Sequence, residues 1–193
     1  MKLLHIDSSA LGTHSVTREL GAAIVGAWTR AHPGTSVTYR DVAANPLPHW
    51  APVADAGDPA ARGGSESLDE FLAADVVVIG APMYNFSIPS TLKAWIDRLA
   101  VAGKTFRYGP NGAEGLAGGK RVVIASSRGG FYSSGDAAAA DFQEAYLRQV
   151  FGFFGVTDIQ FIRAEGVNIS AEQKAQAIAA AHAAIRADER IAA

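Results

Sequence analysis

Cysteine is absent from this 193-residue chain. That removes disulfides, thiolate nucleophiles, iron–sulfur clusters and thiolate zinc sites from consideration at once. No block of Lys and Arg occurs either: 17 basic side chains face 19 acidic ones, for a formal charge of −2. A nucleic acid or an anionic membrane therefore finds no electrostatic support as a partner. Long apolar runs are missing too, and nothing approaches the roughly 18 residues of a membrane-spanning helix. The apolar stretch at the start is stopped by Asp7, too early for a secretory signal. These absences lead to the expectation of a cytoplasmic protein. What is present is an ordinary globular balance, 49% hydrophobic and 19% charged, at a length that suits one domain over residues 1–193.

Strand-like and helix-like segments alternate. Lys2 to Ile6 is a short apolar run before Asp7, Ser8 and Ser9. From Thr17 to Arg30 the period changes: Leu20, Ala23, Ile24, Ala27 and Trp28 recur at helical spacing. Ser15 suits the N-cap and Pro33-Gly34 the stop. Ser36 to Val42 alternates like an edge strand. Asn45 to Gly64, rich in Pro, Ala, Gly and Asp, reads as a long surface excursion. Asp75 to Gly80 and Arg121 to Ala125 are continuous apolar runs, the pattern of central parallel strands buried on both faces. A helix from about Ser90 puts Leu92, Ile96 and Leu99 on one face, with Gly103 at its C′ position. Asp136 is expected to cap a helix lined by Phe142, Tyr146, Val150 and Phe153, with Gly155 past its end. Thr157 to Ile162 is the last strand. Ser170 and Gln173 form a capping box for a final helix with Ile178, Ala181 and Ile185 inward.

Five strands with helices between most of them predict an α/β fold, a parallel sheet covered on both faces in the order 2-1-3-4-5. Ligands in such a sheet sit beyond the carboxyl ends of the strands, at the switch in strand order. Three loops should converge there. The first, Ser8 to Thr17, is rich in hydroxyls and leads into a helix N-terminus, which favours an anion; an ordinary capped helix is the plainer reading, and the two are compatible. The second, Ala81 to Pro89, carries Met83, Tyr84, Asn85 and Phe86 between two prolines. Such residues on a loop either cover something flat and apolar or sit in an interface or satellite core. The third, Ser126 to Tyr132, has Gly129 and Gly130, which allow close backbone approach to a ligand; alone it would be a tight turn with Arg128 in solvent. Taken together, hydroxyls for a phosphate, aromatics for a ring and backbone donors for a polar ring edge describe a site for a mononucleotide with a planar head, such as FMN.

These residues resemble the FMN-dependent NADH:quinone reductases, also called azoreductases, which are flavodoxin-like homodimers. The resemblance is carried by Ser8-Ser9, Ser15-Val16-Thr17, Met83-Tyr84-Asn85-Phe86, Ile88 to Lys93 with Trp95-Ile96-Asp97, Gly103 to Tyr108, Ser127-Arg128-Gly129-Gly130, Phe151 to Gly155 and Ala164-Glu165-Gly166. It runs over nearly the whole chain, and matches weakly from Asn45 to Arg62. It implies a flavodoxin-like three-layer sandwich with bound FMN. Ser9, Ser15 and Thr17 would hold the phosphate, with the Val16 N–H. Met83, Tyr84, Asn85 and Phe86 would pack along the isoalloxazine and ribityl chain. Ser127, Arg128, Gly129 and Gly130 would contact the pyrimidine side. Asn85, Gly129 and Gly130 would support the flavin chemistry, Asn85 at the ring edge and the glycine N–H groups at the charge near N1 and O2. Phe106 and Tyr108 would reach the partner subunit's substrate pocket. NADH or NADPH would donate two electrons by a ping-pong route to quinones and to azo compounds, with reductive azo-bond cleavage.

Other chemistries fit less well. Gly103-Lys104-Thr105 ends like a phosphate-binding loop, but Arg98 stands where that motif needs Gly. Only Gly12 lies in the first loop, so the dinucleotide fingerprint G-x-G-x-x-G is absent. No G-x-S-x-G occurs. His5, His14, His32, His49 and His182 show no triad or metal spacing, so no metal is expected and surface or capping roles are assigned to them. A non-enzymatic flavodoxin-type carrier is the alternative, though −2 is a weak charge for steering to redox partners. Phe131, Tyr132, Phe151, Phe153, Phe154 and Phe161 are more aromatics than one sheet face needs, which suits either a homodimer or simply core.

Overall fold

The computed structural model describes residues 1–52 and 59–192. Five strands form one parallel sheet: β1 (Lys2–Asp7), β2 (Ser36–Asp41), β3 (Val76–Pro82), β6 (Arg121–Ser127) and β7 (Asp158–Ala164). Their order is β2-β1-β3-β6-β7, the 2-1-3-4-5 arrangement expected. Leu3 pairs with Val76, Val76 with Arg121, and Arg121 with Asp158, so the strands start together and their carboxyl ends emerge together.

Side-chain alternation divides the core in two. Leu4, Ile6, Val77, Ile79, Val122 and Ile124 face α2 (Pro59–Ala73), α3 (Ser90–Leu99) and α4 (Phe142–Phe153), where Phe71, Trp95, Phe151 and Phe154 are buried. Leu3, Val76, Val78, Val123 and Ala125 face α1 (Val16–Ala31), α5 (Ala171–Ala187) and the short α6 (Glu189–Ala192). β3 and β6 are buried at every residue, because helices cover both sides of the sheet. β2 is exposed or half-buried throughout, as an edge.

Caps follow the sequence closely. The Ser15 hydroxyl accepts from the Arg18 N–H, and Ser170 from the Gln173 N–H. Gly155, at φ +93°, follows α4 in the left-handed region, where a glycine carries no Cβ penalty.

Several expectations are corrected. Asp136 opens a short 3-10 turn, Asp136–Ala140, and Asp141 caps α4, accepting from the Gln143 and Glu144 N–H groups. The signal was present: Asp141-x-x-Glu144 has the spacing of a capping box, whereas Asp136 is followed by alanines. Gly103 is not the C′ residue of α3; the helix ends at Leu99 with Ala100 as C-cap, and Gly103 lies three residues beyond at φ +78°. Residues 59–64 of the expected surface excursion belong to α2, and residues 53–58 lie outside those described. A hairpin absent from the sequence reading, β4 (Phe106–Gly109) and β5 (Gly112–Gly115), precedes β6. Its β5 end lies against the turn after α4 so closely that a Cβ on Gly115 would fall 2.2 Å from the Gly155 nitrogen. His5 is buried in β1 rather than at the surface. Of the six aromatics, Phe151 and Phe154 are core, and Phe153 and Phe161 pack on it; Phe131 is 51% exposed and Tyr132 half-buried, so the core takes four of the six.

Candidate flavin site

The three loops leave the carboxyl ends of β1, β3 and β6 and are joined by specific bonds. Tyr84 links the second to the first: its hydroxyl accepts from the Ala10 N–H at 3.1 Å and lies 3.3 Å from Ser9 Oγ. The Met83 N–H donates to Ser127 O at 2.8 Å, tying the second to the third. Gln143 at the start of α4 donates to Ala81 O at 2.9 Å, and the Phe142 N–H donates to Phe86 O at 3.1 Å.

In the first loop Ser9, Ser15 and Thr17 are buried. Ser15 Oγ and Thr17 Oγ1 are 3.1 Å apart. The first N–H groups of a helix have no partner within it. Ser15 takes those of Arg18, through its hydroxyl, and Glu19, through its carbonyl. Among the described residues the Val16 and Thr17 N–H groups donate to nothing, and with the hydroxyls beside them they make a donor set suited to a phosphate. Arg18 braces this loop from outside. Its guanidinium donates to Ser9 O at 2.8 Å and to both Asp41 oxygens at 2.6 and 3.0 Å. That bond raises the Arg18 pKa and holds the Asp41 carboxyl below its usual range. Tyr39 donates to Asp7 at 3.0 Å; burial first, then the Asp7 charge, pushes its pKa up to about 12.

The second loop is a tight turn. Tyr84 and Ser87 exchange both backbone hydrogen bonds, at 2.9 and 3.1 Å, around Asn85 and Phe86. Both central residues have positive φ, 49° and 69°, as a type I′ turn requires. Asn tolerates this region, whereas Phe there costs about 1–2 kcal/mol. The strained turn presents the Phe86 ring half-exposed, edge-on to Tyr132 at 6.1 Å between ring centres. Strain of this kind gathers at functional sites. The Asn85 side chain is exposed.

Gly129 and Gly130 in the third loop are half-buried. Their N–H groups donate to no group among the described residues, so they are available to a ligand edge. Arg128 behaves differently from its neighbours and from the solvent-exposed turn residue of the plainer reading. Its side chain is 0% exposed and reaches Asp141 at 3.0 Å, Glu165 at 3.0 Å and Glu144. A guanidinium so committed anchors the loop from behind. Glu165 also accepts from the Tyr132 and Ser133 N–H groups at 2.8 and 3.0 Å. Burial alone would raise its pKa, but the bonds from Ser133, Tyr132 and Arg128 hold it below the ordinary carboxylate value.

Ser9, Ser15, Val16, Thr17, Met83, Tyr84, Asn85, Phe86, Ser127, Gly129 and Gly130 are thus brought to one end of the sheet. Phe106 and Tyr108 are not. Their hairpin follows the end of α3 and precedes the start of β6, which places it at the amino ends of the strands. Phe106 packs on Phe153 with ring centres 4.6 Å apart, while Tyr108 is 76% exposed. The roles of Asp141, Gln143, Glu144 and Glu165 are not legible in sequence, because these residues act on Arg128 and on loop backbone across 13 to 62 residues of chain.

The flavodoxin-like fold family matches residues 1–188. An FMN-dependent NADH:quinone oxidoreductase from Sinorhizobium fredii is 60% identical over 196 residues, covering 96% of this chain and 95% of the relative. This chain belongs to the flavodoxin-like FMN-dependent NADH:quinone oxidoreductase family. A second such relative, from Xanthomonas axonopodis pv. citri, is 58% identical over 191 residues, covering 98% and 97%. The crystal structure of an azoreductase from Bacillus anthracis superposes with a TM-score of 0.87 at 30% identity, covering 96% of each chain.

Proposed function

We propose that the protein is an oxidoreductase that holds FMN at this site and passes two electrons from NADH or NADPH to quinones and azo compounds. One observation carries the reading: hydroxyls, a strained aromatic turn and free backbone donors converge at the carboxyl ends of β1, β3 and β6. FMN, when bound, supplies hydride chemistry that no amino-acid side chain supplies.

The chain's own residues divide the remaining work. Ser9, Ser15, Thr17 and the Val16 N–H hold the phosphate end. The Ser127 to Gly130 backbone sets the pyrimidine edge, and the Gly129 and Gly130 N–H groups stabilise negative charge that develops there. Asn85 is placed for a hydrogen bond at the ring edge. Phe86, Phe131 and Tyr132 surround the mouth and exclude water from it. Donor and acceptor take turns in that space.

We read the active unit as a homodimer. Tyr108 stands exposed at the end of the sheet away from its own site, so any part it plays in catalysis must be in another copy. No helix among the described residues is long and apolar enough to cross a membrane; a cytoplasmic setting, where nicotinamide nucleotides are at hand, belongs to the same reading.

The visible spectrum of purified protein tests this directly. A flavin spectrum that NADH bleaches without oxygen, and that a quinone restores, is the expected result. A flavin that stays oxidised with NADH and NADPH would instead make this a carrier, and failure to take up added FMN would overturn the site.

A further inference from the structure

Backbone hydrogen bonds on the far side of the third loop fix its free donors. Beyond the end of β6, the segment after β7 runs alongside residues 128–130. The Arg128 N–H donates to Ala164 O at 3.0 Å, and the Val167, Asn168 and Gly166 N–H groups donate to the carbonyls of Arg128, Gly129 and Gly130 at 3.1, 3.2 and 2.9 Å. Those carbonyls are all engaged. The next donors, the Tyr132 and Ser133 N–H groups, both go to Glu165 Oε1, which also takes the Arg128 guanidinium, while Oε2 takes the Ser133 hydroxyl. Left over are the N–H groups of Gly129, Gly130 and Phe131, which donate to nothing among the described residues. Gly129 lies close against the 164–168 segment: a Cβ there would fall 2.8 Å from Asn168 Nδ2.

We propose that Glu165 is a positioning residue for the flavin chemistry. By gathering the far side of the loop onto one half-buried carboxylate, it aims the Gly129 and Gly130 N–H groups at the ring edge where negative charge appears on reduction. The proposal rests on the flavin site described above. Donors held in place favour the charged, reduced state over the neutral, oxidised one, so Glu165 raises the reduction potential although it never touches the cofactor. A residue that merely stabilised the fold would weaken both redox states alike.

The test is the two-electron midpoint potential of FMN-loaded protein, with FMN affinity measured separately. Glu165→Ala is expected to weaken reduced FMN about tenfold relative to oxidised FMN, a fall of about 30 mV for a two-electron couple. Glu165→Gln keeps an oxygen for the Tyr132 and Ser133 N–H groups and is expected to stay closer to the wild-type potential. Ser133→Ala, an exposed change that should fold normally, is expected to shift the potential the same way by about threefold in the affinity ratio, and it carries the test if Glu165→Ala does not fold. An unchanged potential in Ser133→Ala and in any folded Glu165 variant overturns the proposal while leaving the site intact. A raised potential, which loss of a nearby negative charge alone would give, overturns it as well. Wild-type protein that binds no FMN would remove the site itself.

Discussion

Replacing Arg128 by Met tests whether the third loop is held from behind by charge. The guanidinium is wholly buried against three carboxylates, Asp141, Glu144 and Glu165. Met matches much of its length but neutralises nothing. Removing one partner of a buried ion pair costs about 3–5 kcal/mol, since charges are left uncompensated. Glu144 keeps Arg163, which donates to both its oxygens at 2.6 and 2.7 Å. Asp141 and Glu165 are near enough to solvent, at 13% and 12% side-chain exposure, to recover some hydration. The lower end of the range, about 3 kcal/mol, is therefore expected, or roughly 6–12 °C in Tm for a domain of this size. Urea titration of the apoprotein at several pH values measures it. The Glu165 pKa in the folded wild type lies below its unfolded value of about 4.5. Its contribution is thus complete at pH values above that, and is lost as pH falls through the folded pKa. In the Met variant the same carboxylate has lost the guanidinium and takes up a proton at higher pH, which relieves its burial. The gap between the two proteins should accordingly narrow below about pH 5. A gap under about 1 kcal/mol at pH 7, or one that stays constant down to pH 4, would refute the ion-pair account.

Further outcomes are expected elsewhere. Gly115→Ala should destabilise by at least about 3 kcal/mol, because its Cβ would meet backbone atoms of Phe154 and Gly155 at 2.2–2.4 Å and backbone cannot swing aside as a side chain can; chemical denaturation reads this. Asn85→Gly keeps the left-handed turn that Asn85→Ala would strain, so it should retain FMN while lowering turnover with a quinone; equal loss of both would make Asn85 a binding residue only. Tyr84→Phe removes the acceptor of the Ala10 N–H and the contact to Ser9, and fluorescence titration should show FMN binding weakened about tenfold, the worth of about 1.4 kcal/mol.

The parts of this protein that follow local rules could be read directly from residues. Continuous apolar runs marked β3 and β6 because a strand covered on both faces has no polar side to show. Ser15 and Ser170 announced their helices because a cap acts within three residues. The motif residues of the site were legible for a related reason, since loops after parallel strands must meet at the carboxyl ends. Even the corrected cap was legible: Asp141 and Glu144 carry the better signature, and the alanines after Asp136 do not.

Tertiary structure decided what depends on partners far along the chain. Arg128 looked like a loop residue beside two glycines, and only folding brings Asp141, Glu144 and Glu165 around it. His5 gave no sign of burial within its own strand. The hairpin at Phe106 to Gly115 has a β pattern too short to register, and it is held by Gly115 against Gly155, forty residues on. The same holds for Phe106 and Tyr108, whose place at the far end of the sheet emerges only from topology. Sequence thus determined the elements and the chemistry they carry, because propensity, capping and periodicity act over a few residues. Folding alone determined which charges meet and which backbone donors are left free, because those follow from packing between segments that sequence keeps apart.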